Sequence, residues 1–162
     1  MDIRAGTGID FHRLILDEKR PLIIGGFEIP GELALEGHSD ADLLLHALAD
    51  AVLGALGLAD IGHYFSDRDP ANKNLDSSAI VSFAVREMHK KDFRLSNADI
   101  TIIGEKPRIS PHREDIKNSV ASILEIDPSK ISIKATTTEK MGALGRSEGL
   151  GCLATVLIFR YT

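Results

Sequence analysis

A chain of 162 residues is the length of one domain, and 43% hydrophobic with 27% charged residues is the balance of an ordinary globular protein. These proportions exclude a disordered, collagen-like or disulfide-stapled chain, and no apolar stretch reaches the length of a membrane span. Lys and Arg number 19 against 24 Asp and Glu, a formal charge of −5. A reader of the nucleic-acid backbone is therefore disfavoured, and an anionic ligand would call for a metal ion to neutralise it.

In chain order, Ile3–Ile9 is expected as a short strand carrying two glycines. Leu22–Ile24 and Phe27–Ile29 flank Gly25-Gly26, a two-residue hairpin signal. The most helical segment runs from about Asp40 to Leu56, with Ser39 as its expected N-cap and Asp42 near the capping-box position. Its apolar residues extend almost all round, which predicts burial. Ala59–Leu75 is polar and turn-rich and reads as a loop long enough to act as a lid. A second helix is predicted over Ser77–Lys91, with Ile80, Phe83, Ala84 and Met88 along one face, and a strand over Ala98–Ile103. A third helix follows over Pro111–Leu124, with Ile116, Val120 and Ile123 inward, then strands at Ile131–Ala135 and Cys152–Arg160. Strands alternating with helices predict one α/β (α+β) domain over residues 1–162, a mixed sheet with helices packed on one face. With 5% aromatic residues and no Trp, the core must rest on Ile, Leu, Val and Ala, and the uncovered sheet face invites oligomerisation. The single cysteine, Cys152, cannot form an intrachain disulfide. MDIRAGTGID has neither signal-peptide nor transit-peptide character, so a cytoplasmic protein or a mature organellar form is expected.

Chemistry first shows at Asp10-Phe11-His12. Positions two apart at a strand end point the same way, and an oxygen with an imidazole nitrogen suits Zn²⁺ or a similar metal. A hydrogen-bonded Asp/His pair would give the same pattern. His46 lies mid-helix among apolar residues, where an imidazole needs a partner. Asp42 and Asp50, at i−4 and i+4, could orient its second ring nitrogen, and a core histidine satisfied by Asp50 is the competing reading. Three protein ligands with an open fourth position are the catalytic pattern for zinc. His38-Ser39-Asp40 precedes the helix, and a helix N-terminus with a nearby His is a ready anion site beyond the plain capping role of Ser39. Thr136-Thr137-Thr138-Glu139-Lys140 offers hydroxyls, a carboxylate and an ammonium after a strand, suited to phosphate and hydrated Mg²⁺, or simply to solvation. Lys106-Pro107-Arg108 is basic, and Arg86–Lys91 reads as a solvated helix face. Dinucleotide, Walker A, HExxH and GxSxG motifs are missing, and Cys152, in an apolar strand, reads as a buried thiol.

The stretches GTGIDFHRL, PLIIGG, GHSDADLLLHALADAVLGALGLADIG, FSDRDP, KPRISPH and IKATTTEKMG occur in this order. Together, from about Arg4 to Ile158, they closely resemble the 2-C-methyl-D-erythritol 2,4-cyclodiphosphate synthase family. The resemblance implies a homotrimer with sheets inside, helices outside and active sites between subunits. It implies a tetrahedral Zn²⁺-type site at Asp10, His12 and His46, with a substrate phosphate oxygen in the open position. Mg²⁺ or Mn²⁺ on the diphosphate would be held by Glu139, and transition-state stabilisation falls to His38 and Thr137. The erythritol and ribose parts would meet Asp60, Ile61 and Gly62 and the loop residues Phe65, Ser66, Asp67, Arg68 and Asp69. Cytidine would be held by Gly104, Lys106, Pro107, Arg108, Ile109 and Ser110 with Thr136 and Thr137 of the neighbouring subunit. Ser39, Thr138, Ala143 and Arg146 are further implied substrate contacts, and Arg146 and Glu148 match residues that in some members surround the trimer axis.

The implied substrate, a CDP-methylerythritol 2-phosphate, carries its own nucleophile, so a chain without a plausible Ser or Cys nucleophile can still be an enzyme. Neither a membrane nor a nucleic acid is an expected partner. Three departures stand out. Ala41 replaces the glycine of HSDGD, which a helix start tolerates; FSDRD replaces a common FPDTD; and Ala143 stands where some members carry a bulkier residue. Two other functions share these residues: a metal-dependent phosphohydrolase with Asp50 as base, and a non-catalytic trimeric scaffold stabilised by metal.

Overall fold

The computed structural model describes residues 1–37, 39–66, 69–72 and 75–161. Strand β1 (Asp2–Leu16) is 15 residues long, about double the expected Ile3–Ile9. Its length comes from pairing rather than apolar content: β1 pairs with β7 (Gly149–Arg160) without a break from Asp2↔Arg160 to Arg13↔Gly149. The β2 (Leu22–Ile24) and β3 (Phe27–Ile29) hairpin forms as expected, with Gly25 and Gly26 at φ +64° and +75°, the left-handed pair that a tight two-residue turn requires. Strand β4 (Leu33–Leu35), too short to show an alternation, pairs with the end of β1.

Helix α1 (Leu43–Ala55) is followed by the short helix α2 (Ile61–Tyr64) and a 3-10 turn at Pro70–Asn72, so the expected Ala59–Leu75 loop is partly ordered into helix. Helix α3 (Ser77–Lys90) buries Ile80, Val81, Ala84, Val85 and Met88, and its half-buried Phe83 packs against Tyr64 and Phe65. Strand β5 (Arg94–Ile103) and helix α4 (Arg113–Leu124) precede β6 (Ile131–Thr136) and the short helix α5 (Gly142–Gly145). The five-stranded sheet has the order β4-β1-β7-β5-β6. Among the described residues only β5 and β6 pair in parallel, and α4 makes the crossover between them. The mixed sheet with helices on one face is the expected architecture, over a core of Leu, Ile, Val and Ala with Phe93 fully buried. On the other face of β1, Ile3, Ile9 and Phe11 remain 55%, 56% and 58% exposed. No helix among the described residues is long and apolar enough to cross a membrane.

The contact between α1 and β1 sets the site. Gly6 and Gly8 face the helix, and a Cβ on either would overlap the carbonyl oxygen of Ala51 or Ala47. Two strand residues advance about 6.6 Å and four helical residues about 6.0 Å, so Gly6 and Gly8 meet Ala55, Ala51 and Ala47 nearly in step. Two residues beyond Gly8 on the strand and one before Ala47 on the helix, Asp10 meets His46. Replacing Gly8 by Ala is expected to destabilise the fold by about 3 kcal/mol or more, because backbone cannot yield as a side chain can. Gly54→Ala serves as the contrast: its Cβ would approach nothing closer than the Thr7 carbonyl at 3.9 Å, so a gain of about 0.5–1 kcal/mol is expected. Urea unfolding midpoints at constant slope measure both.

The start of α1 differs from expectation. Asp42, not Ser39, is the N-cap; its fully buried carboxylate accepts from Leu45 N at 3.1 Å, Gly25 N at 2.9 Å and Gly26 N at 2.7 Å. Ser39 Oγ instead accepts from Ala41 N at 3.0 Å. Ala41 lies outside the helix at φ +57°, so the replacement of glycine is not the easy helix-start change expected: a Cβ in the left-handed region costs on the order of 1 kcal/mol. Burial pushes the Asp42 carboxyl up to about 6, against the pull of its three N–H donors. Asp42→Ala would strand those N–H groups in the interior and is expected to cost about 3 kcal/mol or more. Asp42→Asn, which turns one acceptor into a donor facing an N–H, is expected to cost about 2 kcal/mol. Stability of either variant equal to that of the parent in thermal or urea unfolding would refute this role.

Candidate active site

Asp10 and His12 project from β1 on the side of Gly6 and Gly8, and α1 lowers His46 onto them. Asp10 Oδ2 lies 3.1 Å from His46 Nδ1 and 3.0 Å from His12 Nδ1. The two rings are tilted, with centroids 5.4 Å apart. Gly37 backs the His12 ring, where a Cβ would stand 3.4 Å from Cδ2. One ligand atom from each of Asp10, His12 and His46 lies within 4.8 Å of the others, close enough to bind one metal ion. Ligands around tetrahedral Zn²⁺ at about 2.0–2.1 Å stand roughly 3.3 Å apart, which the two carboxylate–imidazole separations approach. His12 Nδ1 is buried and has no well-formed hydrogen bond among the described residues, the orphaned donor atom that a metal ion would satisfy. Burial works to raise the Asp10 carboxyl, but the close approach of the His12 and His46 imidazoles prevails and holds it at about 2. For His46, burial opposes the charged ring, while Asp10 on Nδ1 and the charges of Asp42 and Asp40 outweigh it and raise the pKa.

The far side of the His46 ring overturns the expectation that Asp42 or Asp50 orients it. Nε2 lies 2.9 Å from Ser77 Oγ, at the start of α3. Ser77 Oγ in turn donates to Asp40 Oδ1 in a very short hydrogen bond, and Ser77 N donates to Asp40 Oδ2 at 3.0 Å. Asp42 is engaged with the hairpin turn, and Asp50 accepts from Ile61 N at 2.8 Å, which ties α2 to α1. Burial pushes the Asp50 carboxyl up against that bond, with the charges of Asp60 and Asp10 adding to the rise. One oxygen of the base a phosphohydrolase would need is thus engaged by a backbone amide. Neither Ser77 nor Arg20, which donates to the Ser39 carbonyl at 2.6 Å, was singled out by sequence. Ser77 is 31 residues from His46, and no local pattern links them.

A cleft of about 550 Å³ opens over the triad, and its walls include Phe11, Gly37, Ser39, Ile61, Gly62, Phe65 and Asp69. Asp60 caps α2 by accepting from His63 N at 3.1 Å, and the Ser66 carbonyl accepts from Asn72 Nδ2 at 3.0 Å. A second cleft, of about 330 Å³, is walled by Gly104, Pro107, Arg108, Ile109, Ser110, Thr136 and Thr137, with the Lys106-Pro107 bond cis. Among the described residues the two clefts have no wall residue in common. Lys106 is exposed beside the second cleft, and exposed Glu139 bonds back to Thr137 Oγ1 through its own N–H at 3.2 Å. Thr138 Oγ1 donates to the Met141 carbonyl at 2.7 Å. Exposed Ala143 is on α5, and Arg146, its C-cap, pairs with Glu148 at 2.6 Å. His38, Asp67 and Arg68 lie outside the described residues. A larger cavity of about 880 Å³ around Phe93 contains none of the expected site residues. Cys152 is buried, and burial drives its thiol far up, in keeping with an unreactive core side chain.

Residues 3–159 match the YgbB family. The 2-C-methyl-D-erythritol 2,4-cyclodiphosphate synthase of Leptospira borgpetersenii serovar Hardjo-bovis (strain JB197) is 54% identical over 157 residues, 97% of this chain and 98% of that protein. Among solved structures, the IspF CDP complex of Plasmodium falciparum superposes with a TM-score of 0.87 at 34% identity, covering 99% of this chain and 97% of that one. The bifunctional IspDF of Campylobacter jejuni superposes with a TM-score of 0.93 at 36% identity; the match covers 99% of this chain and 43% of that longer one. With a fold and a sequence that agree over nearly its whole length, the chain belongs to the YgbB family, alongside these 2-C-methyl-D-erythritol 2,4-cyclodiphosphate synthases.

Proposed function

We propose that residues 1–162 form a single synthase domain acting in the cytoplasm as a phosphorus–oxygen lyase of the non-mevalonate isoprenoid pathway. It converts 4-diphosphocytidyl-2-C-methyl-D-erythritol 2-phosphate into 2-C-methyl-D-erythritol 2,4-cyclodiphosphate and CMP. An oxygen of the 2-phosphate attacks the β-phosphorus, the bond from that phosphorus to the CMP oxygen breaks, and CMP leaves with the electron pair. The observation that carries this reading is the convergence of Asp10, His12 and His46 around an orphaned imidazole nitrogen, in a chain 54% identical to a synthase of this name.

Asp10, His12 and His46 would hold Zn²⁺ or another divalent first-row ion, and Glu139 would hold Mg²⁺ or Mn²⁺ on the diphosphate. When bound, such ions supply neutralisation of phosphate charge and polarisation at phosphorus. The protein's own task is to fold two mutually repelling phosphates together in line. Asp60, Ile61 and Gly62 with residues 65–69 would seat the erythritol and ribose, Ser39 would be a further contact, and the loop 65–75 would serve as a lid that keeps water from hydrolysing the same bond. Gly104, Lys106, Pro107, Arg108, Ile109, Ser110 and Thr136 would seat the cytidine, with Thr138, Ala143 and Arg146 as further contacts. His38 and Thr137 would stabilise the charge that develops on the transferring phosphoryl group.

The two clefts are read as halves of different active sites, completed between neighbouring subunits of a homotrimer with the sheets inside. The exposed apolar side chains of Ile3 and Ile9, on the helix-free face of β1, support this reading.

Phosphorus NMR of the protein with the substrate, Zn²⁺ and Mg²⁺ is expected to show CMP and two coupled cyclic-diphosphate resonances. Inorganic phosphate or a linear product would favour hydrolysis, and a folded, metal-loaded protein without turnover would favour a scaffold. Asp10→Asn is expected to lower turnover by on the order of 10²–10³-fold or more, the scale of losing an electrostatic contributor to a transition state. Sedimentation velocity is expected to report a trimer. The double variant Ile3→Glu, Ile9→Lys should sediment as a folded monomer and lose cyclisation, whereas a trimer with normal turnover would sink the interfacial site.

A further inference from the structure

We propose that Ser77 and Asp40 are positioning residues for His46, holding the imidazole proton on Nε2 so that the Nδ1 lone pair faces the metal site. The inference rests on the metal reading given under the proposed function and concerns residues that reading leaves without a role.

The hydroxyl of Ser77 has a single proton to give. Asp40 Oδ1, closer to Ser77 Oγ than in an ordinary hydrogen bond, is acceptor-only when ionised and takes that proton. Ser77 Oγ then has only lone pairs to offer His46 Nε2 at 2.9 Å, so the ring must donate there. A neutral imidazole carries one N–H. With it on Nε2, Nδ1 is left bare, 3.1 Å from Asp10 Oδ2 and on the same side as the orphaned His12 Nδ1. Two electron-rich atoms facing each other are stable when a cation lies between them, which is the state the relay favours.

The relay is rigid. Ser77 is 0% exposed, its N–H donates to Asp40 Oδ2 at 3.0 Å, and Asp40 Oδ1 also accepts from Asp42 N at 3.2 Å. The first residue of α3, the segment before α1 and the ring are therefore tied at one carboxylate. A carboxylate acting through a hydroxyl also makes the imidazole a stronger electron donor, the effect expected of the partner behind a metal-bound histidine.

The test is Zn²⁺ affinity of the full chain, measured by competition with a chromophoric chelator, together with the His46 Nε2–H resonance of the Zn²⁺-loaded protein. Ser77→Ala is expected to weaken Zn²⁺ binding by about 10–100-fold and to abolish the protected, downfield Nε2–H signal. Ser77→Thr, which keeps the hydroxyl, is expected to restore both to near wild-type values. Asp40→Asn keeps the hydroxyl but weakens its acceptor and is expected to give an intermediate loss; it decides the matter on the same two readouts if Ser77→Ala does not fold. Wild-type protein that binds Zn²⁺ while Ser77→Ala and Asp40→Asn bind within twofold of it, with the Nε2–H signal intact, overturns the relay alone. Wild-type protein that binds no Zn²⁺ overturns the metal reading and the relay with it.

Discussion

The approach of α1 to β1 without intervening side chains is the constraint on which the rest of the structure depends. Gly6 and Gly8 give up their Cβ atoms so that the helix backbone at Ala47 and Ala51 can rest on the strand. A larger residue at either place would lift the helix away by more than a metal ligand can tolerate. His46 is carried on the same helix one position before Ala47, so the distance that packs the core also brings its Nδ1 within 3.1 Å of Asp10. Stability and the geometry of the triad are in this way one packing problem, and the site stands on a strand and a helix rather than on loops.

The acidic residues around α1 divide the work of holding that arrangement. Asp42 closes the β2–β3 turn onto the helix start through the amides of Gly25 and Gly26. Asp50 holds α2 through the Ile61 amide, which sets Ile61 and Gly62 in the wall of the cleft. Asp40 holds α3 through Ser77. Each carboxylate accepts hydrogen bonds from an element distant in sequence, which offsets the desolvation of a charged group. A chain with formal charge −5 thereby uses acidic groups as internal fasteners. With Asp10, which contributes most, the charges of Asp42 and Asp40 also favour positive charge on His46, as its raised pKa reflects.

Two clefts of one chain gather much of the proposed site, one holding the triad and the other formed by the 104–110 turn and the end of β6. Under the proposed function these are the metal-binding half and the nucleoside half, and among the described residues they share no wall residue. The same sheet that carries Asp10 and His12 on its helix side exposes Ile3, Ile9 and Phe11 on the other. Under the proposed assembly, that alternation along β1 serves catalysis with one set of side chains and association with the next, a direct use of the two-residue period of a strand.

Much of this was legible in the residues themselves. The Gly25-Gly26 turn, the buried character of α1 and the helix-on-sheet architecture follow from periodicity and turn chemistry, and strand spacing with the cost of burying an imidazole among leucines marks Asp10, His12 and His46 as candidates that the family resemblance joins into one site. Other features depended on partners far along the chain. The cap of α1 shifted from Ser39 to Asp42 because the Asp42 carboxylate reaches the hairpin amides as well as Leu45. The span of β1 doubled because β7 offered it a continuous ladder. Asp50, placed one turn from His46 on the helix, turned to Ile61, and Ser77, 31 residues away, took its place behind the ring. Periodicity determines which face of an element a side chain occupies, and so the sequence alone could single out Asp10, His12 and His46 as candidates; which element is packed against that face is a matter of three-dimensional assembly, and so only the tertiary structure could decide what brings them together and holds them.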